Sequence, residues 1–197
     1  MAKQVARSTK KQIAPFRPVY PSPAALVTSV DEAGNPNIVT LGECFNVSIR
    51  GPIIVGIAIR QATYSYGSIH RQGEFTVNLP TADLLEKVDG IGMVSGRVCD
   101  KFKRFGLTAL PALKVAPPLI AECPVNLECR VLSEQQVGDH QLFLGEVLAQ
   151  HVDADKLDAE GRPDPRKMNM FVFALQAYLA VGDVIGHFGF SASRAHK

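Results

Sequence analysis

The chain has 197 residues, 46% hydrophobic and 20% charged, which is enough for one sizeable core and too apolar for a disordered protein. Its 21 Lys and Arg against 19 Asp and Glu leave a net charge of +2, far from the basic surplus of a dedicated nucleic-acid domain. No apolar run approaches the ~18 residues of a membrane span, and the first stretch lacks the apolar segment of a signal peptide. The expectation is a soluble, cytoplasmic protein with neither nucleic acid nor membrane as partner.

The 16 Gly and 13 Pro follow no repeating period, which suits many turns between short strands. Cys44, Cys99, Cys123 and Cys129 are read as free thiols of a reducing compartment, because a chain of this size needs no disulfide staples, and Cys123 and Cys129 as buried small apolar residues. Cys123 and Cys129 lack a second Cys or His pair at zinc-finger spacing, so no metal site is expected.

Taken in order, residues 1–17 form a basic arm carrying Lys3, Arg7, Lys10, Lys11 and Arg17 and no acid. It reads as a frayed end or a clasp on a partner, with a transit peptide or an anionic-surface contact as the alternatives. Residues 18–182 are expected to form one domain, followed by a C-terminal extension over 183–197. Ala24–Val30 and Asn37–Leu41 read as a hairpin around the turn residues 31–35. Ile53–Ile59, almost continuously Ile, Val and Ala, reads as a central strand covered on both sides.

A short helix is expected from Thr63 to His70, closed by Gly73, followed by a strand over Glu74–Leu79. Thr81 reads as the N-cap of a helix over Ala82–Val88. Another helix fits Val98–Phe105, ending at Gly106. Val125–Ser133 and Gln141–His151 read as a long hairpin, and Phe171–Leu179 as a last strand. About seven strands with a few short helices predict a mainly β, antiparallel barrel.

Familiar catalytic signatures fail. Gly90–Gly96 resembles a dinucleotide fingerprint, but its third glycine comes one residue late and no βαβ unit surrounds it. There is no Walker A motif, no His-Glu-x-x-His and no Gly-x-Ser-x-Gly. What remains is a set of small polar loops at strand ends: Thr40–Ser48, Arg60–Tyr64 and Ser95–Phe102. Such loops supply hydrogen bonds to a bound ring or phosphate. Glu43, Asp100, His70 and His187 are read as structural or solvated.

The order and wording of these stretches resemble the flavin reductase-like, FMN-binding split-barrel family, and within it the flavoredoxin-like branch. The resemblance runs from about Pro18 to Tyr178. It is carried by Asn37-Ile38-Val39-Thr40, Asn46-Val47-Ser48 before Gly51-Pro52, Thr63-Tyr64, Glu74–Pro80, Ser95-Gly96-Arg97 with Asp100-Lys101-Phe102, Pro118–Cys123, and Gly138-Asp139-His140 with Gly145-Glu146-Val147.

The resemblance implies a Greek-key split barrel that forms a homodimer and holds FMN noncovalently, with electrons supplied by NAD(P)H or a redox partner protein. It places Thr40, Cys44, Asn46 and Ser48 along the isoalloxazine and ribityl chain. Arg60, Thr63 and Tyr64 fall on the phosphate side, and Asn78, Ser95, Gly96 and Lys101 make the remaining polar contacts. His140 would touch the nicotinamide substrate through the Gly-Asp-His motif, which also suits a hairpin turn.

No catalytic acid or base is required, because the cofactor carries the chemistry. Phe171–Leu175 lacks the His that family members reducing free flavin often carry, which keeps a non-catalytic FMN carrier or sensor open as the alternative. An oligonucleotide-binding barrel ranks last, because aromatics are 7% of the chain and Trp is absent.

Overall fold

The computed structural model describes residues 10–191; Lys3 and Arg7 of the basic arm and residues 192–197 of the C-terminal extension lie outside the described residues. Two short segments start the chain's β structure, β1 (Ser22–Pro23) and β2 (Ala25–Val30), and β2 returns through the 31–35 turn as β3 (Pro36–Leu41). Asp31 fixes that turn: its carboxylate accepts from the N–H groups of Ala33 and Asn35 at 2.9 and 2.8 Å.

The chain then crosses directly into β4 (Cys44–Ser48) and β5 (Ile54–Ile59). Thr63 opens α1 (Tyr64–Gln72) by accepting the Tyr66 N–H on its hydroxyl, and Gly73 closes the helix at φ 69, a left-handed position that glycine takes without strain. β6 is Glu74–Leu79.

A 3-10 turn over Ala82–Leu84 leads into α2 (Leu85–Gly92), and α3 is Lys101–Phe105. The minor pair β7 (Ala109–Leu110) and β8 (Leu119–Ile120) precedes two long strands, β9 (Val125–Val137) and β10 (His140–Val152). The hairpin β11 (Phe171–Ala174) and β12 (Ala177–Ala180) completes the described β structure.

Seven strands form one antiparallel sheet in the order β3-β2-β6-β9-β10-β5-β4. Its two edge strands, β3 and β4, are consecutive in the chain and joined by Gly42 and Glu43 alone. The sheet therefore curls until its edges face each other across a seam: a split barrel, mainly β, with a few short helices. β1, β11 and β12 make a separate three-stranded sheet beside it.

One core fills the barrel with Val27, Ile57, Ile59, Phe75, Val77 and Phe143, capped by Ile69 of α1. A second lies outside β2 and β3, where Leu26 and Ile38 pack on Val88, Ile91, Phe102 and Phe171. Each fully buried large side chain contributes about 1.5–3 kcal/mol, so α2 and α3 are held by burial despite their short length.

Several expectations are corrected. The strand covered on both faces is β2, whose six residues are all buried. Ile54–Ile59 is instead second from an edge; its outer positions are Gly56, under the Phe45 ring, and Ala58, which lines cavities.

The Thr40–Ser48 stretch is not wholly loop, because Cys44–Ser48 pairs with β5. Thr81 makes no side-chain cap, and α2 begins later, at Leu85. The 98–105 helix starts only at Lys101, where Asp100 accepts the Lys103 N–H. Phe171–Leu179 is two strands, reversed at Leu175, which takes φ 60.

A candidate flavin cleft at the barrel seam

A cleft of about 630 Å³ opens where the sheet fails to close. β3 supplies Val39, Thr40 and Leu41, β5 supplies Ala58 and Ile59, and the start of α1 supplies Thr63, Tyr64 and Ser65. The end of α2 and the loop after it add Ile91 through Arg97. One stretch of the lining is thus apolar and another rich in donors, as in sites for ring-bearing polar ligands.

The donor end is built by α1. Thr63 takes up one N–H of the first turn, and the N–H groups of Tyr64 and Ser65 have no partner within the helix. Arg60 stands three residues upstream, with its Nε 3.9 Å from Asp139. Arg97 donates to the Ala62 carbonyl at 3.0 Å and lies 5.8 Å from the centre of the Tyr64 ring. Tyr64 in turn donates to Asp31 at 3.1 Å, and burial together with that carboxylate raises its phenol's pKa.

Lys101 is the most unusual residue of the lining. It is 4% exposed, and its ammonium donates to the carbonyls of Ile38 (2.8 Å) and Ile91 (3.0 Å). Burial pushes its pKa down to about 8. Four cationic side chains, Arg17, Arg60, Arg97 and Lys101, line the cleft against one carboxylate, Glu43, and that carboxylate is held by Arg17 at 2.7 Å. The surplus suits an anion.

Gly96 lets the loop approach closely. A Cβ there would overlap Asn37 Oδ1 and stand 2.9 Å from Tyr64 Cδ1. Asn37 itself donates to the Ser65 hydroxyl at 2.7 Å, so loop, strand and helix are locked together. His140 enters the lining from β10; its Nδ1 lies 2.7 Å from Asp139 Oδ1. The His140 hydrogen bond holds the Asp139 carboxyl below its usual range.

Of the residues singled out from sequence, Thr40, Arg60, Thr63, Tyr64, Ser95, Gly96, Lys101 and His140 are brought together on this cleft. The Thr40 hydroxyl is already given to the Val88 carbonyl at 2.7 Å. Cys44 is buried at the start of β4 and lines an adjoining chamber. Asn46 and Ser48 lie further along β4, away from the cleft lining, and Ser48 donates to the Arg50 carbonyl. Asn78 is fully buried elsewhere: it donates to Leu26 and accepts from Ile120 N and Asn126, tying β6 to the 117–120 segment.

Sequence reasoning missed Arg17, Asn37, Glu43 and Arg97 as cleft residues. Asn37 and Arg97 fall inside quoted motifs. Arg17 ends the basic arm, and nothing in its local sequence shows that it folds back onto Glu43.

The flavin reductase-like domain model matches residues 17–172, most of the chain and all of the strands that line the cleft. The chain belongs to the flavin reductase-like family. Within reach of it lies flavoredoxin of Desulfovibrio vulgaris (Miyazaki F), 32% identical with a TM-score of 0.85, the match covering 93% of this chain and 99% of that one. Flavoredoxin of Methanosarcina acetivorans is 29% identical with a TM-score of 0.81, covering 93% and 100%. An uncharacterized protein of Archaeoglobus fulgidus is 40% identical over 147 residues, 74% of this chain and 80% of the relative. As a flavin reductase-like protein, the chain shares its overall fold with these flavoredoxins, and no helix among its described residues is long and apolar enough to cross a membrane.

Proposed function

We propose that the seam cleft binds FMN and that the protein is an FMN-dependent oxidoreductase taking electrons from NAD(P)H or from a redox partner protein. The observation that carries this reading is the convergence of Arg60, Arg97, the first turn of α1 and the buried Lys101 on one cleft that also has an apolar stretch. A buried ammonium without a carboxylate is costly unless something anionic shares its site. Helix N-terminus and guanidinium groups together suit a dianionic phosphate. The accessible apolar side chains of the lining, Val39, Ala58, Met93 and Val94, suit a flat ring.

FMN, when bound, supplies the redox chemistry of its isoalloxazine ring. The chain's own residues bind and orient. Arg60 and the α1 N–H groups hold the phosphate, and Lys101 sets positive charge beside the ligand. Asp139 holds the proton on His140 Nδ1, which leaves Nε2 to meet a nicotinamide. The second reading, an FMN carrier without nicotinamide turnover, is favoured by one observation: β11 is Phe171-Val172-Phe173-Ala174 and offers no imidazole.

A homodimer is part of the proposal. The exposed edge around β4 presents the apolar side chains of Phe45, Val47, Ile49 and Ile53, which covering by a second subunit would bury, close to a cleft that needs water excluded.

The test is a pair of titrations followed by reduction. FMN should bind at least tenfold tighter than riboflavin, and Arg60→Ala should remove much of that preference while leaving riboflavin affinity nearly unchanged. Anaerobic NADH or NADPH should bleach the yellow complex if nicotinamide is the donor; a complex that stays yellow fits the carrier. A protein that takes up no FMN sinks both readings.

A further inference from the structure

A second chamber, of about 460 Å³, opens off the cleft and shares Arg17, Glu43 and Ala58 with it. Its walls are Val19, Tyr20, Cys44, Phe45, Phe173 and Leu175, with prolines of the 18–23 segment. Burial pushes the Cys44 thiol up to about 12, so this wall is neutral and apolar. The charged groups of the lining are Arg17 and Glu43, both at the junction with the cleft.

Two features mark the chamber as more than a gap between the small sheet and the barrel. Among the described residues three non-glycine positions take a left-handed backbone: Arg17 (φ 40), Asn169 (φ 43) and Leu175 (φ 60). Two of the three line this chamber. Such conformations are costly for branched or bulky residues and gather at ligand sites. The second feature is how Arg17 is held. Its guanidinium lies 5.4 Å from the centre of the Phe173 ring and 2.7 Å from Glu43 Oε1, with both side chains of the ion pair well exposed, at 41% and 37%. An exposed pair of this kind is weak, so a ligand anion can take the carboxylate's place.

We propose that this chamber binds a small planar aromatic acid. Its ring lies against Phe45, Phe173 and Leu175, and its carboxylate takes over Arg17 from Glu43. An apolar cavity of about 150 Å³ already holds a benzene ring, so one ring with substituents fits. Charge complementarity selects the acid over its neutral analogue: the walls carry no other cation, and a guanidinium pairs with a carboxylate through two parallel hydrogen bonds. The chamber's shared wall with the cleft places such a ligand beside the FMN site, and in that respect the inference rests on the flavin reading.

The experiment is calorimetric titration of benzoate and of benzyl alcohol at low ionic strength, into protein with and without FMN. Benzoate is expected to bind at least tenfold tighter than benzyl alcohol. Arg17→Gln should erase that ratio, and Glu43→Gln should tighten benzoate severalfold by removing the competing carboxylate. Equal binding of the two probes, no benzoate binding up to 10-fold above ~1 mM, the weak end of specific affinities, or benzoate weakened by Glu43→Gln each overturns the proposal. Benzoate binding to a protein that takes up no FMN leaves the chamber standing and removes the flavin reading. FMN uptake with no benzoate binding removes the chamber alone.

Discussion

Lys101 makes a prediction whose sign and size follow from its surroundings. Its ammonium is 4% exposed, sits on two backbone carbonyls and has a pKa lowered from 10.5 to about 8. Between those values the unfolded chain keeps a proton that the folded chain gives up, so stability rises with pH across the window. The slope limit is ~1.4 kcal/mol per pH unit, and the 2.5 units between 8 and 10.5 set a ceiling of ~3 kcal/mol. Below pH 8 the folded, ligand-free protein carries the full penalty.

A bound phosphate works in the opposite direction: it favours the charged lysine, so binding takes up a proton above pH 8 and FMN affinity falls there, by at most tenfold per unit. Urea unfolding of flavin-free wild type and Lys101→Met from pH 7.5 to 10 isolates the lysine, because other titrating groups cancel in the difference. The wild type should gain ~1–3 kcal/mol on the variant across that range. A flat or falling difference refutes the buried, uncompensated ammonium.

Other outcomes follow from close packing and burial. Gly96→Ala forces Asn37 and Tyr64 aside and should cost ~1–3 kcal/mol of stability and weaken FMN binding, read by thermal melting and flavin titration. Glu128 is fully buried. Burial pushes its carboxyl up, but the N–H groups of Leu113 and Lys114 and the His151 ring outweigh this and leave it net below its usual value. Its contribution to stability is therefore present above about pH 4.5 and is lost as pH falls. Glu128→Ala should cost ~1–3 kcal/mol and speed proteolysis within 111–116. Of the four cysteines, burial raises the thiols of Cys44, Cys123 and Cys129, while Cys99 is partly exposed. Iodoacetamide at pH 8 should label Cys99 alone in the folded protein, and Cys44→Ser should keep FMN binding.

The strands were legible where apolar and polar residues alternate in sequence, as in β6 and β10, even though both faces of β6 are buried. The misreadings have a common origin in surfaces that only folding creates. Ile54–Ile59 looks central by composition because its outer face meets Phe45 and two cavities, which a one-dimensional pattern cannot separate from a neighbouring layer. β4 was hidden because it is a short edge strand with little burial: Cys44 is its one buried residue, while the apolar Phe45 and Val47 are exposed.

At the cleft, the Arg60–Tyr64 and Ser95–Lys101 stretches were readable because helix caps and tight loops leave local signatures. Arg17 was not, since its partners Glu43 and Phe173 lie far away in sequence. Asn78 was misleading for a related reason: a buried amide serving a distant loop and one serving a ligand look alike in a motif.

The two-residue step from β3 to β4 has a mechanical consequence. Elsewhere in the barrel wall, neighbouring strands are pinned ~4.8 Å apart by ladder hydrogen bonds, and widening the wall means breaking them. At the seam the two edges are tethered by Gly42 and Glu43 through covalent bonds. That gap can breathe without sacrificing a single ladder bond. The seam is therefore the part of the wall that the ladder leaves compliant, held instead by the Gly42-Glu43 tether at one end and by the Asn37–Ser65 hydrogen bond towards the other, while the register of the barrel stays fixed.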